Sequence, residues 1–447
     1  MTPAWARRAV IEPVWTAVSG ATLLEHWREL ERTQRLPLDV LHDRQEERLR
    51  RITATAARVS PFSRRRLAEA GFPDGLRSLD DLRALPVLTK AEIRLAGDAM
   101  LARGVDRESL LEFRTGGSTG VPLRLLISEE ISHRRNAAAR RSDLWTGWRV
   151  GEGIGAVWGN PKLPQTIKER LRAELLNPVI YLDTMVLSPE SVREFARAWR
   201  RERPTLLFGH AHSIYQLACT ASDLGIDDIR PKAILATSMM LLPHERRAIE
   251  RIFGMAVFDR YGCEEVGLIG CECERHAGLH MNVDHLVVEF LRADDTPAAA
   301  GERAFVVVTD LINDVMPLIR YRVEDLSARL EQPCACGRGL PLMSRVAGRV
   351  ADFLVRADGS RVAGISLIEN TVTSFPGIEQ MQIVQESLER IVLNLVPTPN
   401  APVGAAPALV RYFASVFPGA TIDVQTMSRI PQEPNGKYRF AICRVAR

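Results

Sequence analysis

Arg114-Thr-Gly-Gly-Ser-Thr-Gly-Val-Pro122 stands between two apolar runs, residues 109–113 and 123–127, which predict strands. Its glycines let a loop fold tightly and bring backbone amides close to a ligand, and its Ser and Thr hydroxyls donate hydrogen bonds to anionic oxygens. The segment therefore fits a polyphosphate, although it lacks the Gly-x-x-x-x-Gly-Lys-Ser/Thr spacing of the common nucleotide-binding loop. Taken alone, it also fits an ordinary hairpin turn.

Four further motifs follow this loop along the chain. They are Tyr261-Gly-Cys-Glu-Glu265, Tyr321-Arg-Val-Glu-Asp325, Gly348-Arg349 and Arg429-Ile-Pro-Gln-Glu-Pro-Asn-Gly-Lys437. In this order and at this spacing, the motifs resemble those of the adenylate-forming superfamily, which includes acyl-CoA ligases, luciferases and peptide-synthetase adenylation domains. Within that superfamily the chain looks most like the phenylacetate–CoA ligase branch. The match runs from about residue 34 to residue 445.

The hydrophobic pattern predicts an α/β fold. Residues 34–70 and 79–95 read as helices, and Thr89 with Glu92 forms a capping box. Short apolar runs then alternate with helical stretches, which is typical of buried parallel strands. We expect strands at residues 155–158, 206–208, 233–236, 256–258, 286–291, 303–309 and 318–321, and helices at 191–201, 212–224 and 243–253.

The chain is expected to form two domains. The resemblance implies a large N-terminal layered α/β domain over residues 1–347, with N-terminal helices to about residue 100, and a small C-terminal α+β lid over residues 348–447. Beyond the predicted boundary, the pattern indicates strands at 380–384 and 391–396 and a helix at 407–415.

Composition is that of an ordinary enzyme rather than a nucleic-acid-binding protein. The net charge of +4 is small for 447 residues, and no sustained basic stripe is present. The locally basic segments 134–141 and 197–203 read as solvated helix faces. The apolar run 9–24 is interrupted by Glu12 and Pro13, so we predict neither a signal peptide nor a membrane span and expect a cytoplasmic protein.

The resemblance assigns roles to the motif residues. Lys437 and Glu265 are implied as catalytic, with Glu265 also holding the magnesium ion, and Asp325 would accept hydrogen bonds from the ribose hydroxyls. The loop would cradle the β- and γ-phosphates, Tyr261 would stack on adenine, and Arg349 would contact ribose or phosphate. The implied ATP-binding residues are Thr115, Gly116, Gly117, Ser118, Thr119, Gly120, Tyr261, Gly262, Asp325 and Arg349.

The chain departs from the superfamily pattern at several motif positions. Relatives commonly place Lys after the proline of the loop, where this chain has Leu123. Glu264 replaces the usual Thr or Ser before the magnesium-binding Glu, and Val323-Glu324 replaces Thr-Gly before Asp325. Ala351 occupies the usual hinge position, so the extent of lid rotation stays open.

The acyl pocket is expected near two segments that follow predicted strands. By resemblance, its residues are Phe208, His210, Ser238, Met239 and Met240. The two methionines indicate a flexible apolar wall, which fits an aryl or medium acyl group. The sequence does not identify the acid.

Two Cys-x-Cys pairs predict a zinc site. Seven cysteines in a chain of this length, with no predicted secretion signal, argue against a disulfide framework. Some phenylacetate–CoA ligase relatives carry zinc, and matching their motifs implies a structural ion on Cys273, His280, Cys334 and Cys336. Cys271 and His276 remain alternative ligands, a site of four thiolates stays open, and buried reduced cysteines remain the alternative to a metal site.

The resemblance implies an enzyme that activates a carboxylic acid with ATP and Mg²⁺ as acyl-AMP and then transfers the acyl group to a thiol, with CoA the default acceptor. An amine or hydroxyl acceptor, transfer of AMP to a small molecule, and a zinc-stabilised scaffold without turnover are the alternatives. The expected partners are small molecules, with no nucleic acid or membrane. A carrier-protein acceptor and homodimerisation are left open.

Overall fold

The structure is a computed structural model. It describes residues 2–114, 123–158, 166–176, 178–348, 353–364, 367–368, 371, 374–375, 377–398, 405–431 and 438–445. Within these ranges, no helix combines the length and the apolar character needed to cross a bilayer.

Helices dominate the first part of the chain and then alternate with strands. The α-helices are α1 (Ala4–Ala6), α2 (Glu12–Ser19), α3 (Leu23–Thr33), α4 (Leu38–Val59), α5 (Pro61–Glu69), α6 (Lys90–Ala96), α7 (Glu129–Trp145), α8 (Ile167–Leu176), α9 (Pro189–Glu202), α10 (Ala211–Asp223), α11 (Pro243–Phe253) and α12 (Ala405–Val416). A π-helical turn, Arg7–Ile11, joins α1 to α2, and short 3₁₀ turns lie at Asp80–Ala84, Gly97–Met100, Arg107–Ser109 and Thr184–Val186.

The strands of the described residues form five sheets. They are β1 (Leu111–Arg114), β2 (Arg124–Ile127), β3 (Ile154–Trp158), β4 (Val179–Asp183), β5 (Leu206–His210), β6 (Ala233–Thr237), β7 (Val257–Cys263), β8 (Gly267–Glu272), β9 (Leu279–Met281), β10 (Leu286–Leu291), β11 (Ala304–Asp310), β12 (Tyr321–Ser327), β13 (Arg329–Leu330), β14 (Leu342–Met343), β15 (Phe353–Val355), β16 (Arg361–Ala363), β17 (Ile378–Ser387), β18 (Arg390–Pro397), β19 (Thr421–Thr426) and β20 (Ala441–Cys443).

A nine-stranded sheet with the order β13-β14-β9-β8-β7-β6-β5-β3-β4 positions most of the site. Strands β4, β3, β5, β6 and β7 are parallel, whereas β8, β9, β14 and β13 continue the sheet antiparallel. Helices α9, α10 and α11 pack on one face through a separate apolar core. Ligands of such sheets bind at the carboxyl ends of the parallel strands, so that edge is where a site is expected.

Three smaller units accompany the nine-stranded sheet in the described residues before 348. Strands β10, β11 and β12 form an antiparallel sheet, whose core is continuous with that of the nine-stranded sheet through residues such as Val308 and Tyr321. Helices α4 and α5 enclose a further core with the loop that precedes β12, through Leu49, Leu67 and Ile319. Strands β1 and β2 pair in the register Leu111–Ile127, on either side of the glycine-rich loop.

The C-terminal part has its own sheet and its own core. Strands β19, β18, β17 and β20 lie in that order, and α12 packs against them through Leu409 and Phe413. Strand β20 runs parallel to β17 at one edge of this sheet, so the chain after residue 437 rejoins this unit beside β17.

Most predicted elements of the sheet are confirmed. The four expected parallel strands are β3, β5, β6 and β7, the helix over 243–253 is α11, and the Thr89–Glu92 capping box is present. The strand expected at 318–321 is wrong, because Arg320 has a φ of 58° and the backbone becomes extended only from Tyr321 onward.

The prediction of a solvated basic face on α7 is also wrong. Arg141 is fully buried, with Nη1 2.6 Å from Asp284 Oδ2 and Nη2 3.0 Å from Asn282 Oδ1. Arg135 is almost buried as well. These cations form ion pairs with carboxylates far away in sequence, which local charge patterning does not reveal.

Candidate active site

Glu265 is a buried carboxylate at the tight turn between β7 and β8. Tyr321 donates a hydrogen bond of 3.0 Å to its Oε1 from the first residue of β12. Burial and the neighbouring Glu265 raise the pKa of Tyr321 far above its usual range, so the phenol stays a donor. Glu264, by contrast, is exposed. One carboxylate of the pair is therefore held in the site.

Arg135 of α7 fixes the turn that carries Glu265. Its guanidinium donates to the backbone carbonyls of Glu264 at 3.0 Å and Glu265 at 2.7 Å, and to Asp310 Oδ2 at 3.0 Å. A planar guanidinium can serve three acceptors at once. No sequence motif reveals this role, because Arg135 lies 130 residues before the turn it supports.

Tyr261 and Asp325, both predicted to bind the nucleotide, meet across two sheets. The Tyr261 hydroxyl donates to Asp325 Oδ2 at 2.8 Å, and Asp325 is buried. Tyr261 lies near the end of β7, and Asp325 lies within β12. Gly262 is required beside them, since a Cβ there would lie 2.5 Å from the Gly267 carbonyl oxygen.

Lys90, which the motif analysis did not single out, joins this group from the first residue of α6. Its Nζ lies 3.7 Å from Glu265 Oε1 and 3.4 Å from Glu324 Oε2. Glu324 has a φ of 74°, the left-handed conformation that favours glycine, which is the residue expected at this motif position. The departure at Glu324 therefore keeps the glycine-like backbone and adds a carboxylate, which Lys90 partly neutralises.

The predicted acyl-pocket residues lie at the carboxyl ends of β5 and β6. The Phe208 and His210 rings pack edge-on against Trp158 at the end of β3, with centroid distances of 5.1 Å and 4.4 Å. Arg260 lies over Phe208, 4.7 Å from the ring centroid. The sequence does not mark Trp158 as a pocket residue, because it is only the last residue of an apolar run that predicts a strand.

The second predicted pocket segment follows β6 directly. Ser238, Met239 and Met240 are half-buried, and Ser238 has a φ of 65°. Met239 packs against the core beneath α9, α10 and α11. His210 and Thr237 are register partners at the carboxyl ends of β5 and β6, so both pocket segments begin at the same end of the parallel strands.

Several predicted residues lie outside the part of the chain that the structure describes. They are Thr115, Gly116, Gly117, Ser118, Thr119, Gly120, Arg349 and Lys437, together with the hinge position Ala351.

A second cluster brings together the four residues expected to bind zinc. The Sγ atoms of Cys273 and Cys334 are 3.6 Å apart, and His280 Nε2 lies 3.3 Å from the Sγ atoms of Cys273 and Cys336. All four ligand atoms lie within 4.8 Å of one another. A tetrahedral zinc ion with Zn–S bonds of about 2.3 Å spaces its sulfurs about 3.8 Å apart, so the cluster fits the ion.

The surroundings of this cluster also suit a metal. His280 Nδ1 lies 2.9 Å from the Leu340 carbonyl oxygen, which orients Nε2 toward the thiols. Burial lowers the pKa of His280 to about 4, which keeps the imidazole neutral, as a metal ligand must be. Burial raises the pKa of the Cys273 thiol to about 12. Burial also acts to raise the pKa of Cys336, but hydrogen bonds from Arg338 outweigh it and lower that pKa.

The two alternative ligands lie outside the cluster. Cys271 is the buried register partner of His280 in the β8–β9 ladder, but its thiol is not part of the group of four ligand atoms. His276 Nδ1 lies 3.1 Å from Glu272 Oε2 instead. The geometry therefore favours the set Cys273, His280, Cys334 and Cys336.

The sequence is similar to those of phenylacetate–CoA ligases. It is 27% identical over 344 residues to the phenylacetate-coenzyme A ligase of Thermus thermophilus, which covers 72% of this chain and 73% of that protein. The Escherichia coli protein of the same name is 27% identical over 343 residues, covering 71% and 73%. In addition, a family model described as the CapK C-terminal domain matches residues 354–444.

The fold is that of solved CoA ligases. A 2-hydroxyisobutyryl-CoA ligase in the postadenylation state, in complex with R3-HIB-AMP, aligns with a TM-score of 0.74 at 20% identity, covering 92% of this chain and 91% of that one. The same ligase in the thioesterification state, with 2-HIB-AMP and CoA, aligns with a TM-score of 0.62, covering 93% and 92%. The expected α/β fold and the resemblance are therefore confirmed: the chain has the adenylate-forming CoA ligase fold and is similar in sequence to phenylacetate–CoA ligases.

Proposed function

We propose that this protein is an AMP-forming acid–thiol ligase, which activates a carboxylic acid with ATP and passes the acyl group to CoA. The observation that carries the proposal is the convergence of Tyr261 with Asp325, and of Tyr321 with Glu265, where the two sheets meet. The similarity to phenylacetate-coenzyme A ligases supports the same reaction class. An aryl or medium acyl acid fits the aromatic wall formed by Trp158 and Phe208, near the half-buried methionines.

The chemistry explains why such residues are needed. A carboxylate is a poor electrophile, so one of its oxygens first attacks the α-phosphorus of ATP, and pyrophosphate leaves with the bonding electrons. The thiolate then attacks the acyl carbon, and AMP leaves. Lys437 would balance the charge where the carboxylate and the α-phosphate exchange bonds, and Asp325 would accept hydrogen bonds from the ribose hydroxyls.

The remaining ATP contacts are proposed from the motifs. The loop from Thr115 to Gly120 would donate hydrogen bonds to the β- and γ-phosphates, and Arg349 would contact ribose or phosphate. Glu265 is the proposed magnesium ligand, since Tyr321 bonds only one of its oxygens. A magnesium ion there would neutralise charge on the phosphates.

Residues 348–447 are proposed to act as a lid on the large domain formed by residues 1–347. The separate core of the C-terminal sheet supports this division. The postadenylation structure of the 2-hydroxyisobutyryl-CoA ligase overlaps this chain better than its thioesterification structure does. That difference supports assigning the arrangement described here to the first half-reaction.

We also propose that Cys273, His280, Cys334 and Cys336 hold a structural zinc ion. Four protein ligands fill a tetrahedral site and leave no position open for a substrate. The ion would link the end of β8 to the loop before β14. It would thereby stabilise β8 and its neighbour β7, the strand that carries Tyr261. Reduced cysteines suit a cytoplasmic protein, and that location stays a prediction.

The test is carboxylate-dependent release of pyrophosphate by the purified protein, across aryl, acyl and amino acids. Lys437→Ala is expected to abolish release, whereas Lys232→Ala, which removes an exposed lysine at the opposite end of β6, is expected to leave it unchanged. Release that persists in Lys437→Ala contradicts the proposed role of that residue. No release with any acid contradicts the ligase proposal and favours the scaffold alternative.

The acceptor is identified by adding CoA, amines or alcohols to the acid that supports release. AMP formation with a thioester product supports CoA, whereas AMP formation with an amine and no thiol points to amide synthesis. Mass spectrometry of the product distinguishes both from nucleotidyl transfer, in which AMP remains on the acceptor.

A further inference from the structure

His212, the second residue of α10, is held in a buried pair that the proposed reaction does not use. Its Nδ1 lies 2.5 Å from Glu245 Oε1, and both side chains are buried. The second carboxylate oxygen of Glu245 accepts the amide hydrogen of Leu242 and so caps α11. Glu245 of α11 therefore fixes one edge of the imidazole, and the other edge faces the C-terminal part of the chain.

Two aromatic residues of the C-terminal part cover that other edge. The rings of Tyr438 and Phe440 lie against His212 at centroid distances of 4.3 Å and 5.0 Å, both edge-on. The Tyr438 hydroxyl donates a hydrogen bond of 2.8 Å to Gln216 Oε1, one helical turn beyond His212. Burial raises the pKa of Tyr438 to about 12, which keeps the hydroxyl protonated.

This contact joins the proposed lid to the helix that directly follows the acyl-pocket strand. His212 Nε2 is buried and forms no hydrogen bond within the described residues, so ring packing is what holds this edge. Tyr438 also directly follows Lys437 in the sequence. Because consecutive Cα atoms are about 3.8 Å apart, anchoring Tyr438 restricts where Lys437 can lie.

We propose that Tyr438 is a positioning residue: its contacts with Gln216 and His212 hold the lid in the arrangement that places Lys437 for acyl-adenylate formation. This inference rests on the proposed function. Transfer to the thiol does not need Lys437 in that place, so the contact acts in the first half-reaction and must open if the lid rotates for the second.

The test measures the two half-reactions separately in Tyr438→Phe, which keeps the ring and removes only the hydroxyl. Pyrophosphate release is expected to slow about fivefold, the effect of one neutral hydrogen bond, whereas transfer from supplied acyl-adenylate to CoA is expected to stay unchanged or to become faster. Tyr181→Phe, which alters a partly exposed tyrosine on β4, serves as the matched control. Equal slowing of both half-reactions overturns the proposal.

A double-variant cycle with Gln216→Leu tests the hydrogen bond itself. If Tyr438 acts through Gln216, the double variant slows pyrophosphate release no more than either single variant, and additive effects overturn the proposal. If the wild-type protein activates no acid, the proposed function fails, and amide hydrogen exchange still tests the contact. Tyr438→Phe must then increase exchange in residues 438–445 and at the start of α10 relative to Tyr181→Phe, and unchanged exchange overturns the contact.

Discussion

Replacing Tyr321 by Phe removes one buried hydroxyl group from the candidate magnesium site and little else. Tyr321 is fully buried, and its hydroxyl is 3.0 Å from Glu265 Oε1. Phe fits the same space without a clash, and Lys90 still lies 3.7 Å from that oxygen. The variant therefore isolates the hydrogen bond that orients Glu265.

The size of the effect follows from the charge and burial of the pair. A hydrogen bond to a charged group contributes about 1.5–3 kcal/mol, and a buried acceptor that loses its donor is not resolvated. We expect the free energy of unfolding to fall by about 1.5–3 kcal/mol. Because about 1.4 kcal/mol corresponds to a tenfold change in affinity, a carboxylate that loses its orientation should require about tenfold more Mg²⁺ for half-maximal pyrophosphate release.

Urea unfolding measures the first quantity, and magnesium titration of pyrophosphate release measures the second. Tyr181→Phe provides the control, since the same atom is removed from a partly exposed ring on β4. A Tyr321→Phe variant as stable as this control would refute the argued hydrogen bond. A loss of stability with an unchanged magnesium requirement would show that Glu265 does not depend on Tyr321 to bind the ion.

Three further predictions concern the zinc ligands, the backbone at Glu324 and Asp259, a buried carboxyl group of β7. The Cys273→Ser variant should lose bound zinc, measured by elemental analysis, and should have a lower melting temperature. The Cys271→Ala variant should keep the metal, and equal metal content in both variants would contradict the proposed ligand set. Glu324→Gly should be about 1–2 kcal/mol more stable to urea than Glu324→Ala, because both lose the ion pair but only Gly adopts a φ of 74° without strain. Burial and the neighbouring Glu272 raise the pKa of Asp259 from 3.8 to about 7, so the folded state keeps a proton that the unfolded chain releases. The stability that this proton contributes is complete below about pH 3.8 and is lost as the pH rises through 7. Asp259→Asn should therefore flatten the fall in stability between about pH 5 and 7, measured by urea unfolding at each pH, and an unchanged slope would assign the effect elsewhere.

The parallel sheet and the pairing of motifs could be predicted because each depends on local signals. Strands such as β5 and β6 are continuous apolar runs bounded by helical patterns, which the sequence displays directly. Tyr261 and Asp325 were identified by motif, and their meeting follows from where β7 and β12 end up in the fold. The zinc cluster was likewise marked by the spacing of its cysteines.

Contacts between distant residues that no sequence motif marks could not be predicted. Arg135 sits in a basic run that looks solvated, and only the folded chain brings it to the Glu265 turn. Trp158 resembles any aromatic residue at a strand end until His210 packs against it. Lys90 lies in a segment that was predicted only to be helical, because nothing in its neighbourhood indicates a contact with Glu265, 175 residues away.

The charges around Glu265 connect these separate features. Glu265, Glu324 and Asp325 bring three carboxylates to one region, and among the described residues Lys90 is the cation that ion-pairs with two of them. Arg135 supports the same turn, but its side-chain ion pair is with Asp310. A polyphosphate entering this region adds further negative charge, so it needs a divalent cation more than a site with glycine at position 324 would. If the proposed function holds, Glu324 should therefore increase the dependence on magnesium that the Tyr321→Phe titration measures.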